Sequence, residues 1–178
     1  EQWPLFPELV QAWGYLCFSM EGFEADDVIG TLAKRWASPE LETWLLTGDK
    51  DFYQLIDDHI QVLDIMKGRE IRAPEVAERF GVEPGRVVDV LGLAGDSSDN
   101  VPGVTGIGEK TATKLVTRFG SLEEVLLHAD EVGGKRGAAL AAEAEMAKLS
   151  KDLVTIRTAV PLEMSLEDLS DHCRDAEA

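Results

Sequence analysis

Only two stretches of this chain read as β-strand, and both lie within residues 43–65. Residues 43–47 (Thr-Trp-Leu-Leu-Thr) form a short apolar run stopped by Gly48, suited to a buried strand. Residues 60–65 set Ile60 and Val62 against Leu63 and Ile65. A short helical stretch, 51–56, separates the two. Residues 26–36 precede them with Val28, Ile29, Leu32 and Ala33 on one helical face, and 7–18 has the same apolar spacing. Helix and strand in this alternation predict an α/β unit with a parallel sheet. After Ala73 the strand signals vanish. Helices are expected over 74–80, stopped by Gly81, over 84–93 from Pro84, and over 109–119, closed by Gly120. Ser121 with Glu124 is a capping-box pattern for another, and residues 138–157 are rich in Ala and Leu. The expected division is therefore an α/β core at 1–72, an all-helical module at 73–162, and an acidic tail or linker at 163–178.

Composition excludes several classes. Hydrophobic residues make up 44%, too many for a disordered acidic chain. No apolar run approaches the roughly 20 residues that span a bilayer, so no membrane partner is expected. The chain opens on Glu1, and no basic-then-apolar secretion signal follows. Cys17 and Cys173 have no CxxC pattern and read as free thiols of a reducing, cytoplasmic compartment. The net charge of -17 argues at first against nucleic acid. It is unevenly spread: residues 100–160 hold 8 basic and 8 acidic side chains, while 161–178 hold 6 acidic and 1 basic.

Carboxylates concentrate in three blocks. Glu24, Asp26 and Asp27 open the 26–36 helix, where acids complement the helix dipole and cap free N–H groups; Glu24 and Asp27, three apart, also share one face. Asp49 and Asp51 follow the first strand, at the end where open α/β sheets bind ligands. They can project the same way from an extended segment, or form a turn followed by Asp51 as an N-cap. Asp96 and Asp99 sit in a turn of Ser, Asn, Pro and Gly that is equally compatible with an ordinary Asx-rich loop. Each block alone is weak. Seven acids in three tight groups without matching bases point to hard divalent cations, Mg²⁺ or Mn²⁺, since oxygen ligands disfavour zinc. His59, His128 and His172 form no zinc pattern. Two cations about 3.5–4 Å apart would activate water for in-line attack on a phosphodiester, with no protein nucleophile. Phe23, Phe52 and Tyr53 beside the acids read as core rather than as base-stacking groups.

Residues 101–112 (VPGVTGIGEKTA) fail as a P-loop, because Glu109 stands where the lysine must be. Gly106-Ile107-Gly108 opens directly into a helix. Gly103, Gly106 and Gly108 would let backbone N–H groups approach a phosphate, with Lys110 and Lys114 adding charge on one helical face. The alternative is a tight helix–helix turn with no ligand.

In order and spacing, GFEADD, TGDKDF and GLAGDSSDNVPGVTGIGEKTA resemble the 5′-3′ exonuclease (flap nuclease) family, of the kind found in bacterial DNA polymerase I. The likeness extends over residues 8–162, including AKLSKDLVTIRTAVPL at 147–162. It implies a PIN-like (resolvase-like) α/β nuclease core followed by a helix-three-turn-helix (helix-hairpin-helix) module. It implies a monomeric cytoplasmic enzyme acting on DNA with a 5′ end or flap. Glu24, Asp26, Asp27, Asp49, Asp51, Asp96 and Asp99 would be the metal acids, with Asp27, Asp49 and Asp51 catalytic. Gly103, Gly106, Ile107, Gly108, Lys110 and Lys114 would grip the duplex backbone, with K⁺ on the hairpin carbonyls. The N-terminal strands, two of the family's acids and its basic arch are missing, so a fragment is expected. The alternative for such a fragment is a DNA-binding module without catalysis.

Overall fold

The structure is a computed structural model that describes residues 3–169, so His172, Cys173 and the end of the acidic tail lie outside it. It divides into two compact units, residues 1–32 with 157–178, and residues 33–156.

In the first unit, helix α1 (Phe6–Ala12) is shorter than the expected 7–18. Leu9, Trp13 and Leu16 are exposed, so the apolar stripe buries little, and Gly14 turns left-handed at φ 86°. Helix α2 (Ala25–Trp36) follows the expectation. The returning segment 157–162 is tied to its first turns. Asp27 accepts the Arg157 N–H at 2.8 Å, and the Thr31 hydroxyl accepts the Val160 N–H at 3.1 Å and donates to the Arg157 carbonyl at 3.3 Å. Val28, Val160 and Leu162 close a small core against Met20, Phe23 and Leu32.

The second unit carries a three-stranded sheet. β1 (Thr43–Leu46) runs parallel to β2 (Ile60–Asp64), with Leu45 opposite Val62. β3 (Arg69–Ile71) is antiparallel to β2 and was not legible in the sequence, because three residues with one apolar side chain carry no period. The strand expected to reach Ile65 ends at Asp64, whose carboxylate turns back to the Lys67 N–H (3.0 Å) and ammonium (2.8 Å). A 3-10 turn, Lys50–Leu55, connects β1 to β2 and buries Phe52 and Tyr53, as expected for core aromatics.

The rest of this unit is helical: α3 (Ala73–Phe80), α4 (Val87–Ala94), α5 (Glu109–Phe119), α6 (Leu122–Leu127), α7 (Ala129–Val132), α8 (Gly134–Ala142) and α9 (Ala144–Val154). The apolar α4, with Val87, Val90, Leu91 and Leu93 buried, is its centre. A Cβ at Gly92 would lie 2.8 Å from the Lys151 Cβ and 2.9 Å from Leu122 Cδ1, so the glycine sets how closely α4 meets its neighbours. The single helix expected over 138–157 is two, broken at Glu143, whose carboxylate accepts the Thr105 N–H at 2.8 Å. Asp89, 1% exposed, accepts the Leu122 N–H at 2.9 Å and pairs with Lys151 at 2.7 Å, joining α4 to α6 and α9.

Candidate metal centre

β1 delivers the second acid block to the 3-10 turn. Asp49 is the N-cap of that turn, accepting the Asp51 N–H at 2.9 Å. The cap is thus Asp49, and its carboxylate is exposed at the rim while Asp51 points inward. The third block is folded by a small bridge: the Asp96 N–H bonds to the Val101 carbonyl at 2.9 Å, and the Val101 N–H to the Asp96 carbonyl at 2.7 Å. Asn100 takes a left-handed φ of 58° to close this turn. Behind it, a Cβ at Gly103 would lie 2.3 Å from the Gly95 nitrogen, so only glycine lets the two loop stems touch.

These constraints bring Asp51, Asp96 and Asp99 together, one oxygen of each within 4.8 Å of the others. Asp51 Oδ1 is buried with no hydrogen-bond partner. Burial first, then the neighbouring charge of Asp49, pushes the Asp51 carboxyl up to about 7. Asp96 goes the other way. Burial raises it, but a salt bridge from the Lys50 ammonium and the Ser98 N–H at 2.8 Å outweigh that and hold it below the usual carboxylate range. Burial lowers Lys50 in turn, and its bond to Asp96 more than offsets this, so Lys50 stays charged.

A cavity of about 360 Å³ opens beside the cluster, lined by Asp49, Lys50, Tyr53, Lys67, Arg79 and Asp99 among others. An orphaned carboxylate oxygen among converging acids fits a hard divalent cation, which would restore Asp51 to its ionised form. The cations at the rim were not singled out from sequence. Lys67 and Arg79 come from separate elements, and only the fold sets them beside the acids.

The other expected site residues are placed as follows. Glu24 is exposed, and Asp26 and Asp27 are half-buried at the start of α2, in the first unit. One Asp27 oxygen is engaged by the Arg157 N–H. In the glycine hairpin, Gly103 is buried and its N–H donates to Ser150 Oγ at 3.0 Å. The Ile107 side chain is 3% exposed and belongs to the core. Gly106, Gly108, Lys110 and Lys114 are exposed, and the Gly106 and Gly108 N–H groups have no partner among the described residues.

The comparisons place this sheet, helical module and acid cluster in a family. Residues 1–81 match the 5′-3′ exonuclease N-terminal resolvase-like domain, and residues 82–177 match the 5′-3′ exonuclease C-terminal SAM fold. The chain belongs to the 5′-3′ exonuclease family. It is 44% identical to DNA polymerase I of Bacillus caldotenax over 99% of this chain and 21% of that protein. It is 42% identical to the thermostable DNA polymerase I of Thermus filiformis, again over 99% of this chain and 21% of that protein. The chain thus spans about a fifth of the length of these relatives. Among solved structures, a phage T5 protein crystallised with metal ions superimposes with a TM-score of 0.70 at 25% identity, covering 79% of this chain and 54% of that one. A T5 5′-exonuclease variant gives 0.69 at 26% identity, covering 79% and 58%. Among the described residues, no helix is long and apolar enough to cross a membrane.

Proposed function

We propose that this chain is the metal- and DNA-holding part of a 5′-3′ exonuclease and 5′-flap endonuclease, cytoplasmic and monomeric, that hydrolyses DNA phosphodiesters in replication and repair. The observation that carries this reading is the unpartnered, buried Asp51 oxygen beside Asp96 and Asp99. Divalent cations, Mg²⁺ or Mn²⁺ and two in number, supply an activated water and charge neutralisation at the phosphate when bound. Asp51, Asp96 and Asp99 hold them, with Asp49 at the rim; Glu24, Asp26 and Asp27 are further metal acids by the family resemblance alone. Lys50 keeps Asp96 ionised, and Lys67 and Arg79, which also pair with Asp64 and Glu109, line the cavity with hydrogen-bond donors for an anionic scissile phosphate. The exposed Gly106–Gly108 backbone with Lys110 and Lys114 takes the duplex without reading sequence, and the hairpin carbonyls offer a K⁺ site. In this reading residues 1–72 belong to the nuclease core and 73–162 to the duplex-binding module.

The test is cleavage of a 5′-flap substrate by the intact parent protein with Mg²⁺. Asp49→Ala with Asp51→Ala is expected to abolish cleavage while leaving duplex binding in EDTA intact. Full cleavage by the double variant sinks the site assignment. For this chain by itself, duplex binding without cleavage would favour the binding-module reading.

A further inference from the structure

The second unit carries a second charged concavity, separate in composition from the acid cluster. A cavity of about 460 Å³ is lined by Thr111 and Lys114 of α5 and by Gly133, Gly134, Lys135 and Arg136 at the start of α8, among others. No carboxylate lines it. Lys110 stands one helical turn before Lys114 on α5.

Pairing makes this cluster unusual. The chain has 34 acidic side chains for 17 basic ones, so nearly any cation can find a carboxylate. Most do: Lys34 pairs with Asp57, Lys67 with Asp64, Arg79 with Glu109, Arg118 with Glu131, and Lys148 with Glu145. Lys110, Lys114, Lys135 and Arg136 are exposed and pair with no carboxylate among the described residues. Holding four like charges on neighbouring helices costs repulsion, and an anion placed between them relieves it.

The backbone leaves room for that anion. Gly133 and Gly134 take left-handed φ values of 65° and 58°. A Cβ at Gly134 would meet nothing within 4 Å, so the floor of the concavity is open at this point. Two cations approach from α8 and one from α5, a convergence suited to the oxygens of a single phosphate, with Arg136 able to engage two of them at once.

We propose that this pocket binds a backbone phosphate of duplex DNA, as a second anchor beside the Gly106–Gly108 hairpin. This extends the DNA reading above and rests on it. The partner is the DNA backbone rather than its bases, because the polar side chains of the lining are cations and a hydroxyl, and its apolar side chains, Leu115 and Val132, are aliphatic and provide no ring for stacking.

The test is fluorescence anisotropy of the chain with a labelled blunt duplex in EDTA, repeated over a range of salt. Each DNA phosphate neutralised by the protein adds about 0.9 to the slope of log affinity against log salt. Lys135→Gln with Arg136→Gln is expected to lower that slope by about 1, as for the loss of one phosphate contact, and to weaken binding about tenfold or more at low salt. Lys148→Gln, already matched by Glu145, serves as the control and should change neither. Both substituted positions are exposed, so far-UV circular dichroism should be unaltered. An unchanged slope and affinity in the double variant overturn the proposal and leave the DNA reading standing. If the unsubstituted chain binds no duplex, the DNA reading itself fails. Inorganic phosphate followed by amide NMR then decides the pocket: shifts at Gly133 and Gly134 that vanish in the double variant sustain a phosphate site, and their absence overturns it.

Discussion

Two carboxylates of the second unit are withdrawn from water, and the surrounding chain treats them in opposite ways. Asp89 receives the Leu122 N–H, the Lys151 ammonium and the Arg86 guanidinium at 3.4 Å. Asp51 has a buried oxygen with no partner, and its neighbours include Asp49, Asp96 and Asp99. Asp89 is an internal staple: its charge is balanced and its lone pairs are used. Asp51 is a half-buried acid whose nearby cation, Lys50, is spent on Asp96, so its inward oxygen is left unanswered. Burial of an acid does not by itself mark a site, since satisfied buried acids are ordinary parts of a core; burial without a partner does.

The difference can be broken by mutation. Asp89→Ala should have the largest effect, about 2–3 kcal/mol of lost stability in urea unfolding, because it strands the buried Leu122 N–H and leaves Lys151 only Glu123 as a partner at the junction of α4, α6 and α9. A loss under about 1 kcal/mol would mean that Asp89 is no staple and that the contrast fails.

Asp51→Asn should go the other way. The folded carboxyl titrates near 7 against 3.8 for the ordinary group, so the folded state holds this proton more tightly than the unfolded chain does. Protonation therefore favours folding fully below pH 3.8, and the benefit is lost as pH rises through about 7. Without metal, Asp51→Asn is expected to stabilise by on the order of 1–2 kcal/mol at pH 8, discounted for the partial exposure of Asp51, and by nothing at pH 3.5. Equal Tm values for the two proteins at pH 8 would remove the argument for an unbalanced charge. The same proton competes with a cation. Calorimetric Mn²⁺ affinity should fall as pH drops below about 7, with proton release on binding, and pH-independent binding would place the metal elsewhere.

Lys50→Gln should have the smallest effect. Asp96, with its carboxyl held low, contributes stability above the ordinary value of 3.8 that is lost as pH falls through its lowered value. Removing its counter-charge should cost about 0.5–1 kcal/mol at pH 7, discounted for the partial exposure of Lys50, and nothing once Asp96 is protonated. A cost that persists in acid would point to a packing role for the lysine stem instead.

Much of this arrangement was legible in the linear chain, for local reasons. Helix α5 announces itself between Gly108 and Gly120, and the Ser121 hydroxyl caps the next helix by accepting the Glu124 N–H at 3.2 Å. The parallel pairing of β1 and β2 followed from an apolar run, a short helical stretch and a second apolar run. Other features had no local signature. The break between α8 and α9 depends on Glu143 reaching Thr105, 38 positions away. Ile107 reads as part of an exposed hairpin until its side chain is seen in the core, which leaves the neighbouring glycines to present the backbone. Asp27 has a structural bond that its acid block does not announce: one carboxylate oxygen accepts the Arg157 N–H, 130 positions away, and ties the chain's return to α2.

The sequence by itself determined the family, most of the order of elements and the three acid blocks, because residue spacing and motif chemistry are local properties. Only the tertiary structure decided which acids meet. Asp51 and Asp96 lie 45 positions apart, and β1, the 3-10 turn and the glycine-stemmed loop bring them within 4.8 Å of a shared third oxygen on Asp99. It also decided which charges remain unanswered, the orphaned acid at one site and the unpaired bases at the other. Whether a charged group finds a partner depends on distance in space, and spacing along the chain does not encode that.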